Sequence, residues 1–365
     1  MKFSLKNFLQ GFGIIAIILT LLPLIAIDYW WIRIFDFPHA QLTLLTFIAL
    51  ITYFIRFNIK YVGDYIFVSI LAACFIFQLI KIYDYTPLAA PEALENTITD
   101  TSKSIKIYSA NVLQKNTQYD LLLSQVADYD PDIVLLMETD TVWKKAVHSS
   151  LASTYSYHLL EPRGNTYGML LYSKLPLTRK KIRHLVDKEV PSMEAIVTLE
   201  SGDQIQLYAI HPTPPMPQHN PMSSDRDTEM MKTAFTVNKR TLPVIVMGDF
   251  NDVAWSRTTS LFRKVSKLLD PRIGRGFHNT FNAKNIFMRW PLDHLFTSQE
   301  FRVKRLERTD HIKSDHFPVY TELTFEPDGA SLQLPQEPTD SEIESAKSQL
   351  KEKNLLTLSM KYYFG

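Results

Sequence analysis

Cysteine is nearly absent from this chain: Cys74 is the only one in 365 residues. That excludes an intramolecular disulfide and any cysteine-ligated zinc site, and it leaves the compartment open. Net charge is nearly absent as well. There are 39 basic and 38 acidic residues, a balance of +1, so overall charge argues neither for nor against a nucleic-acid partner. No internal repeat is present. The mean hydropathy of -0.07 averages two unlike parts, and the length suits one or two domains.

Charge is missing most completely at the N-terminus. Residues 8–27 contain none, residues 40–57 are apolar up to Arg56, and residues 65–82 carry only Lys81 near their end. Each is close to the ~20 residues that cross a bilayer core. A cleaved signal peptide is the competing reading of the first segment. Its length, the interruption at Pro23 and the absence of a small-residue cleavage site argue against that, so residues 1–85 are predicted to be an anchor of three transmembrane helices. Lys2 and Lys6 precede the first span, and Arg56 and Lys60 separate the second from the third. The positive-inside rule then puts those ends in the cytoplasm. Three spans deliver the rest of the chain to the outer face of a multi-pass protein of the cell inner membrane. Tyr29, Trp30, Trp31, Tyr83 and Tyr85 sit where an aromatic belt anchors span ends.

Residues 86–103 lack apolar periodicity and read as a linker. Residues 104–326 alternate strand-like and helix-like patterns. Strands are predicted at 105–110, 132–137, 167–173, 193–199, 204–210, 243–248, 291–297, 301–308 and 317–325, with helices at 117–129, 223–239 and 258–268. Many strands with few helices point to a two-sheet α/β sandwich with helices outside. Residues 327–365 form a polar tail with one weak helix at 340–357, read as a solvated appendage.

The polar residues of this domain fall at strand ends. The apolar run Val244–Met247 stops at Gly248-Asp249-Phe250-Asn251-Asp252. Asp249 and Asn251, two residues apart, point to one side and bring two oxygen-bearing groups to a sheet edge. The same grammar places Asn111, Glu138 and His211 after apolar strands, Asp293 inside WPLDHLF, and Asp315 and His316 before the last strand. Each has a bland reading: a turn cap for Asn111, a solvated side chain for Glu138, a core histidine for His211, half of an ion pair for Asp293. All of them must hold together for the cluster to be meaningless.

SANVLQKN, LLMETD, AIHPTPP, VMGDFND, PLDHLF and SDHFPV resemble, in wording and order over about residues 104–325, the endonuclease/exonuclease/phosphatase superfamily. LYSKLPL at 171–177 is similar to a strand-turn of the same family. With its three spans, the chain looks like a membrane-anchored bacterial branch. The resemblance implies a divalent-metal-dependent phosphohydrolase. Glu138 would bind the cation with Asn111 and Asp315 near it. Mg²⁺ suits such an oxygen site, with Mn²⁺ or Ca²⁺ as substitutes. Asp249 would orient or deprotonate the attacking water, and Asn251 would hold a non-bridging phosphate oxygen. His211 and His316 would stabilise developing charge or protonate the leaving group, and Asp293 would orient one of them, which one being left open.

Arg163, Asn165 and Tyr167 precede a strand and are candidates to line the substrate groove. His294 points opposite to Asp293 on the pleat and reads as structural, and Asp252 as a second turn residue. Arg302, Lys304, Arg305 and Arg308 read as a solvated strand face. Two substrate classes compete within the phosphodiesterase reading: nucleic acid, and a lipid head group or small phosphodiester at the membrane surface. The charge balance and the anchor favour the second. A catalytically silent binding module is the reading of another class, and no core residue is missing to support it. No obligate protein partner is evident.

Overall fold

The computed structural model describes residues 4–24, 29–217 and 221–350. The expectations for Lys2, for residues 25–28, for Gln218 (the end of a proline-rich run after His211 that the sequence allows to shape a pocket, to dip toward lipid or to be a rigid loop) and for the helix beyond residue 350 lie outside these. Two sheets lie face to face. Strands β1 (Ser104–Asn111), β2 (Ile133–Met137), β3 (Tyr157–Glu161), β4 (Met169–Ser173), β10 (Phe301–Arg308) and β11 (Val319–Phe325) form a six-stranded sheet in the order β10-β11-β1-β2-β4-β3. Strands β5 (Leu177–Arg183), β6 (Ser192–Thr198), β7 (Gln204–Ala209), β8 (Val244–Asp249) and β9 (Asp293–Thr297) form a five-stranded sheet in that order. This is the α/β sandwich anticipated from the strand count.

Alternation along each strand divides the core. Ile105, Ile107, Ile133 and Leu135 of one sheet meet Ala195, Leu207, Ile245 and Met247 of the other in a central apolar layer. The intervening residues point outward. Tyr108, Ala110, Val134 and Leu136 pack under helices α5 (Tyr119–Tyr129) and α6 (Thr141–Ala152). Val244, Val246 and Phe296 pack under α7 (Ser224–Asn238) and α8 (Arg257–Ser266). Each sheet has one parallel pair, β1 with β2 and β7 with β8. The crossover helices α5 and α7 join these pairs. In such units ligand groups collect beyond the carboxyl ends of the parallel strands.

The N-terminal part holds α1 (Leu5–Leu21), α2 (Trp30–Arg33), α3 (His39–Tyr53) and α4 (Val62–Tyr83). Three stretches, Leu5–Leu24, His39–Arg56 and Val62–Tyr83, are long and apolar enough to cross a membrane. They start and stop within a few residues of the hydropathy-based limits. Where they meet, Ala16, Ala49 and Leu71 are buried. Lys6 Nζ pairs with Asp64 at 2.7 Å, and Tyr53 Oη donates to the same carboxylate at 2.8 Å. Outward-facing Ile15, Ile18, Leu44, Ile51, Ile66 and Ile80 remain exposed. An apolar surface of this extent marks a membrane or protein contact.

The ends of this bundle dock onto the sandwich. Tyr29 bridges to Met222, Trp30 N donates to Pro221 O at 2.8 Å, and Trp255 Nε1 donates to Asp36 O at 2.8 Å. Tyr85 is buried, its hydroxyl donating to Ala254 O at 2.8 Å. Tyr85 and Trp30 therefore belong to a protein–protein seam and not to an aromatic belt, whereas Tyr29, Trp31 and Tyr83 stay exposed.

Other differences have local causes. Helix α6 escaped the sequence reading although Trp143, Val147 and Leu151 recur at helical spacing and Asp140 caps Val142 N and Trp143 N. Strands β3 and β5 are sheet edges whose residues are mostly half-buried or exposed, so they lack the apolar run that marks an inner strand. Residues 86–103 do not hang free. Val303 N donates to Leu94 O at 2.9 Å, Asn96 N donates to Val303 O at 3.0 Å, and Ala93 is in the core. The described part of the polar tail, up to residue 350, is not a solvated appendage either: residues 340–350 are helical, Ala346 packs with α7 and α8, and Glu342 pairs with Lys264.

Candidate active site

The carboxyl ends of β1, β2, β7 and β8 meet at one edge of the sandwich. Asn111 closes β1, and its Nδ2 donates to Glu138 Oε1 at 2.9 Å and to Asp249 Oδ2 at 3.0 Å. One amide thus ties together acidic groups from both sheets. Glu138 follows β2 with φ of 58°, a left-handed conformation that a residue with a Cβ adopts only at some cost. Strain of this kind collects at functional sites. The Gln114 N–H donates to its Oε2 at 3.3 Å.

Gly248 gives β8 its bend. Its φ is 142°, and a Cβ would lie 1.9 Å from Ile210 O. Only glycine lets β8 approach β7 there, which brings Asp249 beside His211. Asp249 is fully buried, and its Oδ1 accepts from Asn251 N at 2.9 Å. Asn251 sits at φ 51° and its Nδ2 donates to Pro212 O at 3.0 Å.

The register of β8 against β9 pairs Asp249 with Asp293. Asp293 Oδ2 is 2.7 Å from His316 Nδ1, so Asp293 orients His316 and not His211. The segment before β11 is pinned from beneath, because Ser314 Oγ donates to Asn111 O at 2.8 Å and accepts from His316 N at 3.1 Å. His316 Nε2 then stands 3.6 Å from Asp249 Oδ2, and His211 Nε2 stands 3.9 Å from the same oxygen. Two imidazoles flank one buried carboxylate.

Burial alone would lower the His316 imidazole, but the Asp293 and Asp249 carboxylates prevail and push it up to about 10. It is an imidazolium at neutral pH. Burial, and to a lesser degree the Asp293 carboxylate, push the Asp249 carboxyl up, while the His316 imidazolium, His211 and the Asn111 amide pull it partly back. A carboxylate raised from its ordinary value is a better proton acceptor than a solvated one.

Asp249, Asp293 and His316 have ligand atoms within 4.8 Å of one another and form a group that could hold a metal ion. Their chemistry argues otherwise: a protonated imidazole has no lone pair to give, and its Nδ1 is committed to Asp293. Glu138 and Asp315 fit a hard cation better. Both line the cleft, both offer oxygen, and Glu138 is only half-buried, which leaves room for the waters that Mg²⁺ keeps. Asn111 turns its nitrogen to the carboxylates and its Oδ1 accepts from Leu113 N at 3.1 Å. As it stands it organises the acids and does not offer them a third oxygen.

The remaining expectations divide. Tyr167 is buried in the site wall with its ring 5.5 Å from that of His211. Arg163 and Asn165 do not line the cleft. The guanidinium of Arg163 is neutralised by Glu161 at 2.7 Å and Glu189 at 3.1 Å, and Asn165 Nδ2 donates to Glu189 O. Both fasten a loop against its neighbour. His294 lies behind the site, its Nε2 2.8 Å from Asp252 O and its Nδ1 2.7 Å from Arg272. Burial first, then the Arg272 charge, lower it well below its usual range, so it stays neutral and structural. Asp252 is buried with Arg226 and Ser256. Arg302 is buried beside Glu326 instead of solvated.

The polar edge opens into a cleft of about 580 Å³. The rest of its lining is mostly apolar: Pro214, Pro215 and Met216 belong to the run after His211 that the sequence allows to shape a pocket, to dip toward lipid or to be a rigid loop, whereas Trp30, Arg33, Ile34 and Phe37 from the loop between the first two candidate spans, and Phe281, Trp290 and Leu292, were not anticipated. Thr280, whose hydroxyl accepts from Asp293 N at 3.2 Å, was also missed. Nothing in its sequence surroundings distinguishes it from a loop threonine.

Residues 107–316 match the model of the Endonuclease/Exonuclease/phosphatase family. No curated protein matches the chain by sequence. Among solved structures it is similar to D. rerio TDP2 complexed with a single-strand DNA product, at 18% identity and a TM-score of 0.51, over 60% of this chain and 99% of that one. It is likewise similar to the human Nocturnin catalytic domain with a bound sulfate anion, at 16% identity and a TM-score of 0.50, over 61% and 94% of the two chains. A mannosyl-6-phosphatase of Bacteroides thetaiotaomicron is 20% identical with a TM-score of 0.48, over 60% and 100%.

Proposed function

The chain belongs to the endonuclease/exonuclease/phosphatase family, whose members act on phosphoester bonds and generally use divalent metals, and from this premise we propose that it is a membrane-anchored, metal-dependent phosphodiesterase. One observation carries the proposal: the buried imidazolium of His316, held by Asp293, faces the buried carboxylate of Asp249 across 3.6 Å. An acid and a base adjoin at the floor of a cleft whose rim bears Glu138 and Asp315.

Asp249 orients a water and takes its proton as the water oxygen bonds to phosphorus. The P–O ester bond breaks, and the departing alkoxide takes a proton from the His316 imidazolium. The products are a phosphomonoester and an alcohol. His211 faces the same carboxylate and adds a second donor for the charge that develops on phosphorus. The second N–H of the Asn251 amide is available to a non-bridging oxygen. Glu138 and Asp315 would hold the divalent cation, Mg²⁺ by their oxygen chemistry, with Asn111 presenting its oxygen if its amide turns over. Bound there, the cation supplies charge neutralisation to an anionic phosphoryl group.

The likeness to TDP2, which was crystallised with a DNA product, keeps nucleic acid as the alternative substrate. The even charge balance gives that alternative little electrostatic support. For location, three spans and the cluster of Lys2, Lys6, Arg56 and Lys60 at one end support an inner-membrane protein whose catalytic domain faces away from the cytoplasm.

The test uses the full-length protein in nanodiscs with bis(p-nitrophenyl) phosphate. Hydrolysis that needs Mg²⁺, stops with a chelator and returns on adding Mg²⁺ or Mn²⁺ is expected. Equal turnover of p-nitrophenyl phosphate would move the reading to a phosphomonoesterase. No turnover of any phosphate ester would leave the binding-module reading in its place.

A further inference from the structure

Half of the cleft is made of apolar side chains that no hydrolytic step uses. Trp30, Ile34 and Phe37 reach it from the loop joining two membrane-spanning helices. Ile34 is 48% exposed and Met216 47% exposed on the cleft wall. Isolated exposed apolar residues need no explanation, but these line one cleft together with the carboxylates of Glu138, Asp249 and Asp315 and the imidazoles of His211 and His316. The loop between Phe281 and Trp290, which are bridged to each other and line the cleft, carries more of the same. Ile286, Phe287 and Met288 form an exposed apolar tip, with Phe287 81% exposed. That tip touches the bundle, since Gln41 in the first turn of α3 donates to Phe287 O at 2.9 Å. The tip therefore meets the start of α3 at Gln41, four residues after Phe37 of the cleft wall. Arg33 also lines the cleft, 3.6 Å from Asp36, and a guanidinium suits a phosphate oxygen.

We propose that the cleft takes a phosphodiester lipid directly from the bilayer, its glycerol and upper acyl carbons lying against Trp30, Ile34, Phe37 and Met216 while its phosphate reaches Glu138, Asp249 and His316. The loop between the first two spans is thus part of the substrate site, and the catalytic domain without it is incomplete. A nucleic acid needs a basic groove beside the aromatic platforms on which its bases stack; this wall has the rings of Trp30, Phe37, Phe281 and Trp290 among prolines and aliphatic side chains, but among the described residues Arg33 is the one lysine or arginine that lines it. The inference rests on the phosphodiesterase reading for the chemistry, and its binding part stands apart from that reading.

The test again uses the full chain in phosphatidylcholine nanodiscs, doped with a phosphatidylglycerol that carries a diazirine near the carbonyl end of one acyl chain. After photolysis, the label should appear on peptides spanning 29–38 and 214–217. Ile34→Asp and Met216→Asp change exposed positions, so both variants should fold, and each should cut that labelling about fivefold or more. Labelling confined to the three spans, or unchanged by both substitutions, overturns the proposal. In parallel, kcat/KM for a water-soluble short-chain phosphatidylglycerol should exceed that for glycerophosphoglycerol by about a hundredfold, the gain from taking roughly three to four methylenes out of water. Equal values, or faster turnover of a single-stranded oligonucleotide, also overturn it. Cleft labelling without turnover of bis(p-nitrophenyl) phosphate would support the lipid occupant and refute the hydrolytic reading.

Discussion

Asp293→Asn keeps the shape of the site floor and removes one charge. The carboxylate it replaces lies 2.7 Å from the His316 ring. Two unit charges at that separation attract by about 6 kcal/mol at an effective dielectric of ~20, enough to outweigh the burial that opposes a charged imidazole. Without it, His316 keeps the Asp249 carboxylate at 3.6 Å and the weaker pull of Asp315 against the same burial. The imidazole should fall from about 10 toward its ordinary 6.5. The stability consequence has a definite sign. A histidine raised in the folded state contributes fully below its unfolded value and loses that contribution as pH rises through the folded value. The wild type should therefore exceed Asp293→Asn in stability most below pH 6.5, with the gap closing as pH approaches 10.

Two assays read this. In the metal-free protein with ¹³C-labelled histidine, the His316 resonance, assigned by its loss in His316→Gln, should titrate near 10 in wild type and well below that in the variant. Hydrolysis of bis(p-nitrophenyl) phosphate at pH 8 should fall by about 10²–10⁴, the usual worth of a positioned acid. Identical titration of the ring in both proteins would refute the claim that Asp293 holds its proton, whatever happened to the rate.

Glu138→Gln and Asp249→Asn should each lower turnover about a hundredfold or more with thermal unfolding little changed; near-normal rates at saturating Mg²⁺ would remove that residue from the chemistry. Gly248→Ala should destabilise by about 2–4 kcal/mol, because its Cβ would meet Ile210 O at 1.9 Å with φ at 142°, and an unchanged denaturation midpoint would contradict the close approach. A C-terminal alkaline phosphatase fusion should be active and a cytoplasm-dependent fluorescent fusion dark; the reverse pattern would put the domain in the cytoplasm and restore nucleic acid as the leading substrate.

Much of the catalytic edge was legible because its signal is local. An apolar run fixes a strand, and the first polar residue after it fixes what the strand end offers. Asn111, Glu138, His211 and Asp249 follow that rule, and the register of β8 with β9 brings Asp293 into the same layer. Partner choice was not legible. That Asp293 serves His316 depends on how β9 and the segment before β11 lie in different sheets, a long-range fact. Arg163 misled because a basic residue in a loop before a strand suits anion binding, and only the fold supplies Glu161 and Glu189 to cancel it. The segment 86–103 misled in the other direction: it has no side-chain periodicity, yet its backbone joins the sheet edge at Val303, and backbone pairing leaves no compositional trace.

The apolar wall was invisible for a deeper reason. Trp30, Ile34 and Phe37 sit beside a membrane span, where aromatic and aliphatic residues already have a sufficient explanation in the bilayer interface. Trp290 and Phe281 sit some 250 residues later in sequence, where nothing nearby links them to the N-terminal helices. Only docking joins them, with the Phe37 and Trp290 rings 5.5 Å apart edge to face and Trp255 bonded to Asp36 O. The family's shared fold needs neither half of this wall, because the site chemistry is complete at the strand ends. What the anchor adds is a second surface to that chemistry. A tether that served only to hold the domain near a membrane would need no side chain in the cleft, whereas this one contributes Trp30, Arg33, Ile34 and Phe37. On the proposed reading, the N-terminal helices are therefore the part that selects what the strand ends cut.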